Sequence, residues 1–340
     1  METATGQIHK KTSAPAYTVI LFYNYTHIED PQAFVNEQRA LCTSLGLKGR
    51  VLIAHEGMNA TLEGLNANID AYCTALLADS RFKDTHIKRS AGTADGSAFR
   101  RLVVKVRKEV VTLGLPPEED FNPRETTGKY LSPEELHAWF TKKNPDDFVI
   151  VDMRNDYEHQ SGHFKGSVLP PLRNFRDLPK VLPTLEHLKD KTVVTVCTGG
   201  IRCEKASGYL VKNGFKDVYQ LNGGIVTYME KFENVGVSAD ADAATSATTA
   251  TAATTLTVPA NNFLGSLYVF DERTTMAFAS KDKRSVIGVC EFCNAPSEQY
   301  TNCGNDDCYL KFIVCENCPR TDKTNKSYCR ECRAKETSNS

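Results

Sequence analysis

The sequence has no run of about 18 consecutive apolar residues, so no membrane-spanning helix is expected. Its opening stretch, METATGQIHKKTSAPAYT, has no apolar signal core, and the expected setting is the cytoplasm. Neither sign of charge is in excess: 41 Lys and Arg against 42 Asp and Glu leave a formal net charge of −1. Local charge clusters therefore matter more than the total. The chain also lacks a haem signature, a flavin fingerprint and a two-His-one-carboxylate set, so no organic cofactor is identifiable. His159 and His163 lie four apart, but no Glu directly follows the first, and Gly162 would break the helix that a zinc-binding pair needs.

With 340 residues the chain is long enough for two or three domains. Residues 1–16 read as a flexible tail. From 17 to 112 the pattern is strand, helix, strands, helix, strands, which predicts a ferredoxin-like (acylphosphatase-like) α+β domain. Its elements are YTVILFYNY (17–25), a helix from Asp30 to Gly46 with Pro31 in its first turn, two strands around a Glu-Gly turn in 49–64, a helix over 66–82, and strands THIKRS and FRRLVVKVRKEVV. Cys42 and Cys73 fall in apolar helical patterns and read as inert core.

Three prolines and mixed polar residues mark 113–130 as a linker. A helix follows, with a capping box from Ser132 to Glu135 and Pro133 at its first position. DDFVIVDM, TVVTV and KDVYQL then alternate with helical segments. That alternation predicts an α/β domain over 131–235, a parallel sheet flanked by helices. The Ala/Thr/Asp run in 236–262 has too few large apolar residues to build a core and reads as a low-complexity linker. A strand segment and a cysteine-rich module occupy 263–335.

The stretch VVTVCTGGIRCEKASGYL (193–210) carries the chemistry. Ligands collect at the carboxyl ends of parallel strands, and Cys197 is the residue after TVVTV. Gly199 and Gly200 let the backbone curl inward around Thr198 to Ile201. The following helix turns its positive end to the same place, and Arg202 adds a full charge. All three favour a thiolate, which is expected to be exposed for chemistry. Cys203 reads either as a resolving thiol or as a small residue at a helix start. The six-residue Cys-x4-Arg loop is tighter than the Cys-x5-Arg loop that cradles phosphate in cysteine phosphatases, and suits a single sulfur atom.

Several segments together resemble a rhodanese domain. VDMRNDYEHQSGHFKGSV (151–168) is similar to the Asp-x-Arg…Tyr-Glu…Gly-His-x-x-Gly motif, and LNGGIVTYMEKF (221–232) to the closing Gly-Gly segment. The resemblance implies that Cys197 accepts a sulfane sulfur as a persulfide, cradled by Thr198, Gly199, Gly200, Ile201 and Arg202. It gives Asp152, Arg154 and Glu158 a supporting, mainly structural role. Adding AHEGMNATLEG (54–64), TGGIRCEKAS (198–207) and YVFDERTTM (268–276), the chain resembles the rhodanese-domain tRNA uridine(34) hydroxylases, found widely in bacteria and with eukaryotic relatives. That implies oxygen-dependent 5-hydroxylation of the wobble uridine, with tRNA and O2 as substrates and Cys197 essential. The family usually has Gly where Ala60 stands, which would alter a tight turn. A sulfurtransferase drawing on a sulfur donor is the main rival, and a non-catalytic RNA-binding protein the other.

Two further features bear on partners. Between Arg81 and Lys108 nine Lys and Arg face two Asp. Arg101, Lys105 and Arg107 fall on one strand face, interrupted by Val103, as a candidate RNA contact, while Leu102, Val104 and Val106 face the core. Of twelve cysteines, eight lie in 290–332 as four close pairs, Cys290/Cys293, Cys303/Cys308, Cys315/Cys318 and Cys329/Cys332. Two closed four-thiolate zinc sites are expected, structural and not catalytic, with a redox relay or free thiols as alternatives. Spacing allows either sequential or interleaved pairing. Lys281, Lys283, Arg284, Arg320 and Lys323 lie near them in sequence.

Overall fold

The computed structural model describes residues 16–144, 146–232, 261–277, 285–318 and 327–338. The expected tail up to residue 15, most of the low-complexity segment, and the basic residues Lys281, Lys283, Arg284, Arg320 and Lys323 lie outside the described residues. The chain forms two compact units that meet in sequence between Val110 and Val111.

The first unit runs β1 (Tyr17–Tyr25), α1 (Pro31–Ser44), β2 (Lys48–Ala54), β3 (Gly57–Leu65), α2 (Asn66–Ala78), β4 (Lys88–Ala91) and β5 (Leu102–Val106). The strand order is β4-β1-β3-β2-β5. The first four strands give the ferredoxin-like, acylphosphatase-like order, and β5 adds a parallel edge beside β2. Asp30 caps α1 by accepting from the Gln32 and Ala33 amides. Ile20, Phe22, Val51, Ile53 and Leu62 pack the sheet against the helices, with Cys42 and Cys73 among them. Burial pushes the Cys42 thiol up to about 12, which keeps it protonated and inert.

Two expectations change here. Ala60 lies in the middle of β3, paired with Phe22 and Val51, and is 1% exposed. The turn is made instead at His55 and Glu56, before Gly57 at φ 147°. The methyl of Ala60 is therefore core. Helix α2 ends at Ala78, short of Phe82. Asp79 accepts from the Arg81 amide and turns the chain, so that Phe82 stacks on Phe34 with centroids 5.5 Å apart.

The second unit contains β6 (Lys129–Leu131), α3 (Pro133–Lys142), β7 (Phe148–Asp152), β8 (Gly162–Phe164), the short α4 (Leu178–Val181), β9 (Thr192–Val196), α5 (Ile201–Lys212), β10 (Asp217–Leu221) and α6 (Gly224–Phe232). Its sheet is parallel throughout, in the order β6-β10-β9-β7. The capping box at α3 is formed as the sequence predicts. Residues 113–128 are not a free connector. Leu113 is buried in the core, the Gly128 amide donates to Ser207 Oγ at 2.8 Å, and Lys212 Nζ donates to the Glu119 carbonyl.

The same unit continues through β11 (Phe263–Gly265), β12 (Leu267–Tyr268), β13 (Thr275–Met276), β14 (Tyr300–Asn302), β15 (Lys311–Ile313) and α7 (Arg330–Ser338). Strand β11 pairs antiparallel with β8. The Tyr300 hydroxyl donates to the Tyr157 carbonyl at 2.7 Å. The cysteine-rich module is thus fastened to the parallel-sheet domain. Among the described residues, no helix is long and apolar enough to cross a membrane.

Candidate active site and two cysteine tetrads

β9 ends at Val196, and the next residue, Cys197, opens a loop that closes into α5. Gly200 makes the bend at φ 105°, a left-handed conformation that glycine adopts without strain. The start of α6 fixes the loop from outside. The Ile225 amide donates to the Cys197 carbonyl at 2.9 Å and the Val226 amide to the Thr198 carbonyl at 3.0 Å. With those carbonyls engaged, amides are left for the sulfur, and the Gly200 amide donates to Cys197 Sγ at 3.2 Å. Gly224 makes this approach possible, because a Cβ there would stand 2.7 Å from the Cys197 carbonyl oxygen and from Gly200 N.

Cys197 has no exposed surface, contrary to the expectation of an exposed thiolate. The physical reason is that amides able to stabilise a sulfur anion must surround it. Burial pushes its thiol up. The Cys203 thiol, the Arg202 charge and the Cys203 and Gly200 amides outweigh burial and bring it from 9.0 down to about 6. Burial and the Cys197 anion push Cys203 up, so it stays protonated and donates to its neighbour. The ultraviolet thiolate absorbance of wild type minus Cys197→Ser should therefore rise with a midpoint near pH 6. A midpoint near the ordinary 9.0 would contradict this geometry.

Arg202 does not act as a lone cation toward the sulfur. Its guanidinium donates to both oxygens of Glu158, at 2.5 and 2.9 Å, and to Thr198 Oγ1 at 3.3 Å. The Arg202 side chain is 8% exposed and that of Glu158 is fully buried. Glu158 also accepts from the Asn155 amide at 2.9 Å. Arg154 pairs with Asp152 through Nε and Nη2, both fully buried, and reaches the Gly162 and Glu158 carbonyls. The three residues of the first motif thus build a buried frame, of which Glu158 touches the cysteine loop.

His163 Nδ1 bonds the His159 carbonyl at 2.9 Å, and burial lowers His159 to about 4. Lys105 in β5 and Arg101 and Arg107 just outside its two ends are all exposed, and Val104 is buried. Val106 departs from the alternation, 40% exposed near the strand's end.

The four cysteine pairs interleave. Cys290, Cys293, Cys315 and Cys318 form one group, and Cys303, Cys308, Cys329 and Cys332 the other, with the sulfurs of each within 4.8 Å of one another. Pairs of sulfurs lie at 3.6 Å (Cys290–Cys318), 3.5 Å (Cys293–Cys315) and 3.8 Å (Cys308–Cys329). Bonds of about 2.3 Å in a tetrahedral thiolate site place sulfurs roughly 3.8 Å apart, so both groups are arranged to hold a metal ion. Sequential pairing is excluded.

The segment after the low-complexity run also reaches the site, which no local pattern in its residues signals. The Phe270 ring centroid lies 5.8 Å from the Arg202 guanidinium, and Tyr268 packs on Tyr157 at 5.3 Å. The pairing of β11 with β8 and the bonds between Ser161 and Ser266 bring this segment to the site from a distant part of the chain.

Three family models match the chain: a UPF0176 acylphosphatase-like domain over residues 17–110, a rhodanese-like domain over 132–231 and a rhodanase C-terminal region over 264–333. The tRNA uridine(34) hydroxylase of Enterococcus faecalis is 44% identical over 301 residues, covering 88% of this chain and 85% of that protein. The chain belongs to the tRNA uridine(34) hydroxylase family. The family's protein from Staphylococcus carnosus is 41% identical over 317 residues, covering 93% of this chain and 89% of its own length. A rhodanese-like domain protein of known structure from Staphylococcus aureus aligns at 28% identity and TM-score 0.26, over 29% of this chain and 90% of that one.

Proposed function

We propose that this chain is a tRNA-modifying enzyme that replaces the hydrogen at C5 of the wobble uridine with hydroxyl, in a reaction that uses O2 and requires Cys197. Relatives across most of the chain bear the name tRNA uridine(34) hydroxylase. What supports the role of Cys197 is the loop around it, in which the Gly200 amide donates to its sulfur and the Cys203 thiol and Arg202 charge lower its pKa. One oxygen atom enters the C5–H bond. The other leaves as water, with two protons and two electrons from an external thiol-class reductant. The intact loop speaks against a retired, purely RNA-binding site.

The second reading is sulfur transfer. An amide ring closed around one sulfur suits a persulfide as well as a thiolate. Nucleoside mass spectrometry of tRNA from cells with and without the protein separates the two. Loss of 5-hydroxyuridine-type nucleosides is expected on deletion, and loss of thiolated nucleosides instead would overturn hydroxylation.

Arg101, Lys105 and Arg107 are proposed to contact tRNA phosphates. Replacing all three with Ala should weaken tRNA binding and flatten its salt dependence by roughly one unit of slope per lost contact. An unaltered slope would place the RNA elsewhere.

Zinc is proposed for both cysteine groups, which carry four thiolates each and leave no open position, so the ions would be structural. Protein purified without chelators should contain two zinc ions per chain, and the eight ligand thiols should resist alkylation until a chelator is added. Metal-free protein with eight reactive tail thiols would remove this assignment.

A further inference from the structure

The chain leaves β12 through Tyr268, Val269 and Phe270. The first two are 2% and 7% exposed, and Phe270 is 50% exposed. This half-open ring is held from several sides. Tyr268 stands perpendicular to it at 5.2 Å. Tyr268 in turn packs on Tyr157 at 5.3 Å and Tyr300 at 5.0 Å, and its hydroxyl accepts from Lys311 Nζ at 2.8 Å. On the other side the turn is fixed by Arg273, which donates to both oxygens of the buried Asp271 carboxylate at 2.8 and 2.6 Å. The Thr274 amide donates to the Asp271 carbonyl, and the Val269 amide to the Thr274 carbonyl. Thr274 is held at φ 56°, a conformation seldom adopted by a β-branched residue. Arg202, the last residue of the Cys-x4-Arg loop, lies 5.8 Å from the ring centroid. A half-exposed aromatic ring, flanked by Tyr268, therefore stands beside the Arg202 guanidinium at the end of the cysteine loop.

We infer that Phe270 is a stacking platform for the uracil base presented to that loop; this rests on the hydroxylase reading above. A base taken out of its RNA stack loses contact with its neighbours, and proteins replace that contact with an aromatic face. Phenylalanine supplies the face and no hydrogen bond, so Phe270 positions the base and leaves base identity to polar groups. Its sequence neighbours Asp271, Glu272 and Arg273 are charged, which suits a single flat ligand better than a broad apolar partner surface. The Arg202 guanidinium steadies the ring by cation–π attraction.

The test uses the full-length, metal-loaded protein and two anticodon stem-loop RNAs, one with uridine and one with an abasic ribose at the wobble position. Wild type should bind the uridine RNA about tenfold tighter than the abasic RNA. Phe270→Leu should erase that difference, and Phe270→Trp should keep or enlarge it. The thiolate titration of Cys197 should be unmoved in the Trp variant. Equal wild-type binding of the two RNAs, or a Leu variant that retains the preference, overturns the platform. If the Leu variant does not fold, a folded Trp variant that loses the preference overturns it equally. A preference that depends on Phe270 in a protein that forms no hydroxyuridine would leave the platform standing and sink the hydroxylase reading instead.

Discussion

Cys197→Ser should abolish wobble-uridine modification, by on the order of a thousandfold or more, in a protein that remains folded. Serine is nearly isosteric and can accept from the Gly200 amide in place of the sulfur, and the loop is also held by backbone bonds from Ile225 and Val226. What is lost is the anion. The Cys203 thiol, the Arg202 charge and the loop amides hold the Cys197 thiol well below its ordinary range, whereas a serine hydroxyl stays protonated at neutral pH in the same ring of amides. It also holds no sulfane sulfur, so the same variant should disable sulfur transfer. A folded Cys197→Ser protein that restores normal modified tRNA in deleted cells would remove the cysteine from the mechanism.

Arg202→Ala should destabilise the fold by about 3–5 kcal/mol, because it strands a carboxylate that has no solvent exposure. From sequence alone the Arg looks like an adjunct to the thiolate, and its loss looks mild. The bidentate pair with Glu158 changes that expectation. Replacing both partners together, Arg202→Met with Glu158→Leu, should recover much of the loss, since no buried charge is left unpaired. In the single variant the Cys197 thiol should titrate higher, since a neighbouring positive charge is gone. Urea denaturation of the single and double variants checks the first part, and thiolate absorbance the second. A single variant as stable as wild type would contradict the buried pairing.

The strands of the parallel sheet, the capping box at Ser132 and the Cys197 loop were legible in sequence because each carries a signal in its own few residues. Alternating apolar strands, a capping pair three apart and glycines directly after a cysteine are local signals. What escaped depends on contacts distant in sequence. Glu158 and Arg202 are 44 residues apart, and nothing in the motif around Glu158 names its partner. Tyr300 reaches Tyr157 across 143 positions. The interleaving of the cysteine pairs was left open for the same reason: spacing sets which two cysteines chelate together, while the hairpin of β14 and β15 decides which pairs meet. Burial of Cys197 is not legible in sequence, because reactivity suggests exposure, whereas stabilising a thiolate with backbone amides requires enclosure.

The most direct test is to incubate the purified protein with unmodified tRNA and a thiol reductant under isotopically heavy O2, then to weigh nucleoside 34. A wobble uridine carrying one heavy oxygen, formed by wild type and not by Cys197→Ser, is the predicted result. A thiolated nucleoside, or uridine left unchanged by folded protein purified without chelators, would contradict it.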